Sequence, residues 1–414
     1  MLVIGCGGGT NVVDAGASDP DATLHDAGKE AAILSQPDAR IGLASGSACD
    51  ASGQCLSGAC TLGACSDWAH VTQIGIDTTS TGADIKQAVA SFPLLVRLDA
   101  ANFNFAEARD DGADIRFVDS GSKSLSHEIE RWDAENSVAD IWVLLPRIEG
   151  GSSGNFVLMY WGNPLAAPTS SGPSVFGTFA NVLHMTGEHD GATSHLGDAS
   201  GQNNTGLVQN PPPSTVRADG IAGPGLAFDG KGTYLATTTR LTSPQTFSVS
   251  LWLKTTSTAR GGIAGFASKA TGSDVLFDRA IWMDESGHLT FGVLHGVNLV
   301  TVSSLTSYSD GAWHLVVARF GSAGQYLFVD GEPVADDPAN SGANSYAGNW
   351  RFGEEPLASP PPSTNDAAVP AGNFISGTLD EIRITYDEPS DAWIKLAYAT
   401  QRPGANAVSY LRTP

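Results

Sequence analysis

The feature that most constrains this chain is a long series of short apolar segments separated by clusters of Gly, Asp, Ser and Pro. In "PLLVRL" (93–98) and "TFSVSLWLKT" (246–255), large apolar residues alternate with polar or small ones, which is the pattern of a half-buried strand. The turn clusters recur at the short intervals typical of β-sandwiches. Glycine is frequent, with 48 residues, and only 16% of the residues are charged. The sequence therefore predicts an all-β protein with two consecutive β-sandwiches.

Charge and length narrow the class of function. The chain has 414 residues and a net charge of −22. Such a length allows several domains, each with its own core. A chain this acidic has few cations with which to neutralise phosphates, so we expect no nucleic-acid partner. No apolar run in the sequence reaches the roughly 18 residues that a membrane-spanning helix needs.

The first 48 residues predict an exported chain on a tether. Val3–Cys6 ("VIGC") resembles a bacterial lipobox, which predicts lipidation at Cys6 and makes residues 1–6 the remnant of a signal. Signal peptides have a longer apolar region, so either the true start lies upstream or the match is accidental. Residues 7–48 contain no aromatic residue and few large apolar ones, so we expect a disordered linker. This interpretation predicts an outer-membrane or cell-surface lipoprotein, or a secreted protein, that meets the membrane only through a lipid anchor.

Residues 49–66 contain four cysteines with the spacing C-x5-C-x4-C-x4-C: Cys49, Cys55, Cys60 and Cys65. Zinc sites prefer closer pairs with a wider central gap, so disulfides fit the spacing better. The segment resembles the short cysteine modules of secreted proteins. It predicts a small disulfide-rich knot, with all three pairings left open.

Residues 67–165 form the first predicted sandwich. Their strand-like segments are "FPLLVRLD", "DGADIRFVD", "LSHEIERWD", "ADIWVLLPRI" and "FVLMYWGNP", in that order. Together these segments closely resemble the surface domain known as domain of unknown function 2341. The resemblance implies a β-sandwich, and it implies no established activity.

One segment of this sandwich is a candidate catalytic motif. In "HEIERWDAE" (127–135), Glu128 and Glu130 share a strand face, and Asp133 follows. Laminarinase-type glycoside hydrolases present E-x-D-x-x-E on one strand, with the acids facing a cleft. Here the central Asp is missing. We therefore interpret the segment as a solvated strand face whose acids pair with neighbouring arginines.

Residues 175–388 form the second predicted sandwich, followed by a C-terminal helix and tail at 389–414. The segments "LAFDGKGTYL", "FSVSLWLK", "DGAWHLVVARF", "YLFVDGEPV" and "SGTLDEIRI" resemble the laminin-G-like, concanavalin A-type jelly roll. The resemblance implies a module that binds carbohydrate or protein, often with a structural Ca2+. In the tail, Ser390 is the predicted N-cap of the helix.

Two adjacent acids in "GTLDEIRITY" (377–386) suggest a metal ligand. Strict strand alternation places Asp380 on the inner face with Ile382, and Glu381 on the opposite face with Arg383. The two acids then cannot flank one glycosidic bond. A carboxylate beside the core needs a cation or several hydrogen-bond donors. By resemblance to the family's turn, Asp198 and Asn204 would complete a Ca2+ site with Asp380; the alternative is that Asp380 accepts backbone N–H groups.

Other candidate residues point to weaker hypotheses. The spacings of His184, His189 and His195 fit no zinc motif, so we interpret them as solvated loop residues. Three tryptophans could form a sugar-stacking platform or could be buried in the core: Trp252, Trp282 and Trp350. The sequence thus favours a non-catalytic surface protein that binds carbohydrate or an envelope protein. The alternatives are a concanavalin A-type glycoside hydrolase or lyase, and a structural envelope component without a small ligand.

Overall fold

The computed structural model describes residues 47, 59–61, 64–187, 194–211, 217–272, 276–355 and 373–412. The predicted lipidation at Cys6, almost all of the linker, and Cys49 and Cys55 lie outside these residues. Strands β1 (Ala59–Thr61) and β2 (Ala64–Ser66) pair as a two-stranded sheet that contains the backbone of Cys60 and Cys65. The side chains of these two cysteines are outside the described set, so the disulfide knot stays a prediction.

The first sandwich has a five-stranded and a three-stranded sheet. Its strands are β3 (His70–Ile76), β4 (Val89–Asp99), β5 (Arg116–Asp119), β6 (Ser124–Leu125), β7 (His127–Asp133), β8 (Val138–Ile148), β9 (Asn155–Trp161) and the C-terminal β29 (Val408–Arg412). The sheet orders are β29-β3-β9-β5-β6 and β4-β8-β7. A short 3-10 helix (Phe105–Glu107) follows β4, and Asn104 caps it.

The second sandwich follows a short helix, α1 (Gly172–Phe176). Its eight-stranded sheet has the order β13-β14-β28-β17-β22-β23-β24, with β10 beside β28. These strands are β10 (Asn181–Leu183), β13 (Arg217–Asp219), β14 (Pro224–Asp229), β17 (Phe247–Lys254), β22 (Trp313–Gly321), β23 (Gly324–Val329), β24 (Glu332–Asp337) and β28 (Ser376–Thr385).

The eleven-stranded sheet of this sandwich has the order β11-β12-β15-β25-β18-β19-β20-β21, with three short strands beside it. Its strands are β11 (Ser194–Leu196), β12 (Gly206–Gln209), β15 (Tyr234–Thr237), β16 (Leu241–Thr242), β18 (Gly261–Ala267), β19 (Phe277–Met283), β20 (His288–His295), β21 (Asn298–Ser307), β25 (Ala347–Phe352), β26 (Glu354–Glu355) and β27 (Asn373–Phe374). The two sheets enclose a core of large apolar side chains, among them Leu251, Phe291 and Trp350. The predicted all-β architecture with two consecutive sandwiches is confirmed.

The two sandwiches pack through their outer faces. Trp142, on the outer face of the three-stranded sheet, contacts Phe176 of α1 and lies under Arg383 of the eight-stranded sheet. The helix α2 (Asp391–Gln401) borders this junction and buries Ile394 and Leu396 in the core of the first sandwich. Its N-cap is Ser390, as predicted, whose side chain accepts the N–H of Trp393. Within the described ranges, neither α-helix is long and apolar enough to cross a membrane.

The C-terminal strand β29 completes the first sandwich. It pairs antiparallel with β3, with Val408 opposite Ile76 and Arg412 opposite Thr72. The Thr72 hydroxyl donates to the carbonyl of Leu411 at 2.9 Å, and the N–H of Arg97 donates to the Tyr410 hydroxyl at 2.9 Å. The first sandwich therefore consists of residues from both sides of the jelly roll, rather than of residues 67–165 alone.

This closure predicts that deleting residues 408–414 destabilises the first sandwich, because β3 loses its neighbour and Tyr410 its buried contacts. We expect a melting temperature lower by several degrees and faster amide exchange in His70–Ile76. Deleting only residues 413–414 is the matched control and should leave both unchanged. Equal behaviour of the two deletions would show that β29 contributes no stability.

Candidate functional site

Two β-bulges, one in each sandwich, turn acidic side chains towards the junction. In β7, the register with β8 slips by one residue after Ile129, so Glu130 is an extra residue without a partner. A bulge interrupts the alternation of faces along a strand. Glu130 and Arg131 therefore both face the junction, where Glu130 lies beside His184, whereas Trp132 packs against the core of the first sandwich.

The second bulge lies in β28 at Glu381, whose φ of 50° is in the left-handed region. Leu379 and Ile382 both pack in the jelly-roll core, so Asp380 and Glu381, which lie between them, both face outwards. Trp252, the cross-strand partner of Asp380, packs at the junction as well. The prediction that the two acids point to opposite faces, with Asp380 beside Ile382, is wrong because the bulge inserts one residue into the alternation.

His184 lies between the two bulges. It follows β10, which pairs with β28, and this register places it beside Glu381. Its Nδ1 is 2.6 Å from Oε1 of Glu381 and 3.4 Å from Oε2 of Glu130, and its Nε2 is 3.3 Å from Oε2 of Glu128. The side chains of His184, Glu130 and Glu381 are only 4%, 1% and 1% exposed. One imidazole thus contacts carboxylates from both sandwiches.

An arginine and an aromatic ring complete this group. Nη2 of Arg383 donates to Oε2 of Glu381 at 2.6 Å, and its guanidinium lies 4.1 Å from the ring centroid of Trp142. Nε1 of Trp142 donates to Oε2 of Glu130 at 2.7 Å, and its ring stacks on His184. We call the following residues the junction cluster: Glu128, Glu130, Trp142, His184, Asp380, Glu381 and Arg383.

A second group of charges borders the junction cluster. Oδ2 of Asp140, in β8, pairs with Nη2 of Arg131 at 2.7 Å. The same oxygen accepts a hydrogen bond from the backbone N–H of Gly223, in the jelly roll, at 3.0 Å. Nη2 of Arg97 donates to the carbonyl of Gln401 in α2 at 2.6 Å. Hydrogen bonds as well as apolar contacts therefore hold the two sandwiches together.

Burial and neighbouring charges set the protonation states. Burial raises the pKa of Glu130 well above its usual value, and the nearby charge of Glu381 raises it further. Burial alone would lower the pKa of His184, but the carboxylates of Glu381 and Glu130 raise it well above its usual value. Burial opposes ionisation of Glu381 too, yet His184 and Arg383 hold its pKa below the usual value. The structure therefore favours a protonated Glu130, an imidazolium at His184 and an ionised Glu381.

Asp380 is surrounded by backbone donors. Its Oδ2 accepts the N–H groups of Ile221 and Ala222 at 2.6 and 3.2 Å, and its Oδ1 accepts that of Glu381 at 2.8 Å. Burial nevertheless raises its pKa well above the usual value, and Glu381 adds to the effect. These contacts match the alternative that we left open from the sequence, in which Asp380 accepts backbone N–H groups.

The other two predicted Ca2+ ligands also have protein partners. Asp198 accepts the backbone N–H groups of Val182, Ser200 and Asn204 at 2.9–3.0 Å, and the Oδ1 of Asn204 accepts the N–H of Thr239 at 2.8 Å. A Ca2+ ion requires several oxygen ligands. The backbone N–H donors around Asp198 and Asp380 do not bind Ca2+. The Ca2+ site therefore stays a prediction.

The junction cluster has the donor atoms of a metal site. One ligand atom each of Glu130, His184 and Glu381 lies within 4.8 Å of the other two. Two contacts oppose a bound cation, because Glu381 is already hydrogen-bonded to His184 and paired with the guanidinium of Arg383. We therefore interpret the cluster as a buried network of ion pairs.

The same cluster resembles a catalytic carboxylate pair in its electrostatics. Glu130 and Glu381 have pKa values shifted in opposite directions, as an acid and a base would. A polysaccharide would have to reach both, but both side chains are 1% exposed. The cavity that Glu381 lines measures about 10 Å³, room for about one water molecule and far too little for a polysaccharide. The geometry thus favours a structural role.

Several interpretations of single residues change with this junction. The predicted solvated face of Glu128 and Glu130 is wrong, and so is the predicted solvated loop position of His184, because the second sandwich covers them. Of the other two histidines, His195 is exposed and His189 lies outside the described residues. These errors share one cause: the strand pattern cannot show that one outer face covers another.

The eleven-stranded sheet carries aromatic rings on its outer face. Trp282 lies against Gly292 and Phe277 against Gly265, so closely that a Cβ at either glycine would meet the ring at 2.8 and 2.1 Å. Near them, the guanidinium of Arg351 lies 4.5 Å from the ring of Tyr234 and pairs with Glu354. We call Tyr234, Phe277, Trp282, Arg351 and Glu354 the outer aromatic face. Of the predicted tryptophan platform, only Trp282 lies here, and it is 8% exposed; Trp252 and Trp350 are fully buried.

The protonation states predict opposite outcomes for two matched substitutions. Glu130→Gln should change the free energy of unfolding by less than about 1 kcal/mol, because Gln copies a protonated Glu. Glu381→Gln should cost about 3–5 kcal/mol, because it leaves Arg383 and His184 without their carboxylate. Urea-induced unfolding at pH 7 measures both. Equal losses would show that the proton is not on Glu130.

The raised pKa values of His184 and Glu130 predict a stability that depends on pH. Each group contributes stability that is complete below its unfolded pKa, near 6.5 and 4.5, and is lost as the pH rises through its folded value. The free energy of unfolding should therefore fall above pH 6.5, by up to about 1.4 kcal/mol per pH unit for each proton. The lowered pKa of Glu381 affects stability in acid. Its contribution to the free energy of unfolding is complete above pH 4.5 and is lost as the pH falls below that value.

Urea titrations from pH 6 to 9 measure this dependence. The double variant His184→Gln, Glu130→Gln should make it shallower, with the raised pKa of Asp380 left to contribute, whereas His195→Gln, at an exposed histidine, should not change it. A slope that survives in the double variant would assign the titration to other groups.

Comparisons with known proteins agree with this architecture. Residues 229–395 match the family model of the concanavalin A-like lectin/glucanases superfamily, and residues 111–186 match that of domain of unknown function 2341. No curated protein gives a significant match.

Solved structures show likeness at low identity. The Trypanosoma rangeli sialidase in complex with sialic acid is 11% identical, with a TM-score of 0.38, over 66% of this chain and 44% of that one. The SAP-like pentraxin from Limulus polyphemus is 16% identical, with a TM-score of 0.34, over 47% of this chain and 94% of that one. The receptor-binding domain of botulinum neurotoxin mosaic serotype C/D is 14% identical, with a TM-score of 0.36, over 54% of this chain and 51% of that one. The chain therefore spans about half the length of that domain. Identities this low say nothing of ligand or activity.

The strand order, the two sandwiches and both family matches lead to the same assignment. Residues 111–186 of the chain resemble domain of unknown function 2341, and residues 229–395 resemble the concanavalin A-like lectin/glucanases superfamily.

Proposed function

We propose that this protein is a non-catalytic surface protein whose jelly roll binds carbohydrate through the outer aromatic face. The observation that carries the proposal is the contrast between the two outer faces of the jelly roll. The face of the eight-stranded sheet is buried against the first sandwich. Among the described residues, the rings on the eleven-stranded sheet pack only with jelly-roll residues. They are largely covered, with Trp282 8% and Phe277 5% exposed, so a sugar would meet them at their exposed edges.

The composition of the outer aromatic face suits a sugar. Aromatic rings present flat apolar surfaces against which sugar rings stack. Between them lie small residues, such as Gly265 and Gly292, whose lack of a side chain lets the rings of Phe277 and Trp282 lie flat against the sheet. Arg351 and Glu354 lie beside the rings, buried and paired with each other, and burial raises the pKa of Glu354. A few placed polar groups among apolar ones are typical of small-molecule sites.

The junction cluster supports the non-catalytic part of the proposal. Two of its carboxylates, Glu128 and Glu130 of the first sandwich, contact His184 of the jelly roll and so join one sandwich to the other. The hydrolase alternative would need an open cleft around Glu128 or Glu130. We therefore propose that the role of the first sandwich is to support the jelly roll.

Location and cofactor enter this proposal as predictions. A lipidated Cys6, a linker and a disulfide knot would place the jelly roll away from the cell surface, within reach of envelope glycans or proteins. Ca2+ at Asp380, Asp198 and Asn204 would be structural. We propose no nucleic-acid partner, since the net charge is −22.

A glycan array with Trp282→Ala tests the proposed function. We expect the wild-type protein to retain specific oligosaccharides and the variant to bind them about tenfold more weakly, because a stacking contact worth about 1.4 kcal/mol is lost. Trp68→Ala is the matched control, because Trp282 lies under Arg260 and Trp68 likewise lies under Arg116, but in the first sandwich. Calorimetry on the best glycan gives the affinities.

Each other result has a defined meaning. Retention by Trp282→Ala at wild-type affinity would overturn the assignment of the outer aromatic face. Release of reducing ends from a retained glycan, abolished by Glu128→Gln, would replace the binding protein by a hydrolase. Loss of retention in EDTA would support the predicted Ca2+, and unchanged retention together with an unchanged melting curve would contradict it.

A further inference from the structure

We propose that a cleft at the junction of the two sandwiches is a second binding site, for one small neutral polyol or sugar ring. The cleft measures about 140 Å³. We call it the junction cleft, and its walls come from both sandwiches, α2 and the segment after α1. Exposed residues at its mouth include Ser91 and Asp387, and Arg383 lies at its buried end.

Strand register places four polar side chains on one wall of the junction cleft. Ser248 of β17 is opposite Thr385 of β28, and Ser250 is opposite Arg383. Residues two apart on a strand share a face, so all four side chains point the same way. Their face is the junction face, because Val317, the partner of Ser250 on β22, packs there. Polar residues are unexpected on a wall that faces another domain unless something polar occupies the gap.

Two buried polar atoms on this wall have no hydrogen-bond partner among the described residues. They are Nε of Arg383 and Oγ1 of Thr385. Arg383 is 3% exposed, so water of the bulk solvent cannot satisfy its N–H. An unsatisfied buried donor costs about 1–3 kcal/mol. A ligand oxygen that accepts from Nε and exchanges a hydrogen bond with Oγ1 would remove that cost.

The surrounding charges select a neutral ligand. Glu381 already neutralises Arg383 at 2.6 Å, and Asp387 lies at the mouth, so an added anion would be repelled. A cation would meet the guanidinium. The opposite wall carries the rings of Phe179 and Trp393, which offer apolar faces. Hydroxyl groups for one wall and a C–H face for the other are the chemistry of a polyol or a single sugar ring.

The size of the cleft limits the ligand further. Its volume equals the share of about four or five water molecules, at about 30 Å³ each. An oligosaccharide would not fit, which separates this site from the outer aromatic face. The junction cleft therefore does not depend on the proposed function, and either site can fail without the other.

Ligand-detected NMR and calorimetry with free glycerol, myo-inositol, glucose and N-acetylglucosamine test the proposal on the whole chain, with sodium acetate as an anionic probe. We expect at least one neutral probe to bind. Thr385→Val and Ser250→Ala should each weaken it about three- to tenfold, the loss of one hydrogen bond. Thr378→Val, on the same strand but outside the cleft, is the matched control and should bind as the wild type does.

Trp282→Ala separates this site from the outer aromatic face and should leave binding of the small probe unchanged. The proposal is overturned if no neutral probe binds, if Thr385→Val and Thr378→Val bind alike, or if Trp282→Ala abolishes binding. Displacement of the probe by acetate would overturn the neutral class of ligand. Circular dichroism of each variant confirms that the fold is intact before binding is compared.

Discussion

The contact between His184 and the carboxylates of both sandwiches is the interaction on which the rest of this structure depends. A buried imidazolium is tolerable only because Glu381 lies 2.6 Å from Nδ1 and Glu128 lies 3.3 Å from Nε2. Glu128 and Glu130 of the first sandwich in turn need His184 of the jelly roll to be in place. Removing one partner would leave an unpaired buried charge, so the two sandwiches cannot separate without exposing the junction cluster to water. The two sandwiches thus behave as one structural unit rather than as two independent domains.

This arrangement explains why an acid-rich junction need not be an active site. Ionised and neutral carboxylates lie side by side because Glu130 keeps its proton while Glu381 gives its proton up. In an enzyme that difference would serve proton transfer to a substrate. Here it reduces the negative charge that must be buried and leaves Trp142 and Arg383 to satisfy the remaining oxygens. Specific pairing of the two domains is the function that such a network can perform without a substrate.

Sequence patterns predicted the fold well because turn clusters and alternating apolar residues are local signals. The two sandwiches, the helix capped by Ser390 and the jelly-roll segments all follow from them. The junction could not be predicted in this way, because it depends on two bulges, at Glu130 and Glu381. One extra residue reverses every face after it, and no local signal marks it except an acid amid apolar residues. Similarly, "LHMTGEH" looks like a loop until the register of β10 places His184 beside β28.

The pairing of β29 with β3 has a consequence for the order in which the molecule is made. Thr72 and Leu411 are 339 residues apart, yet they share a hydrogen bond. A ribosome releases β3 long before β29 exists, so the first sandwich must wait, with a bare strand edge, until the whole jelly roll has been synthesised. Contacts this distant in sequence form slowly, and open edges invite pairing with other chains. During synthesis, such a chain would benefit from a chaperone that covers β3 until β29 has been made.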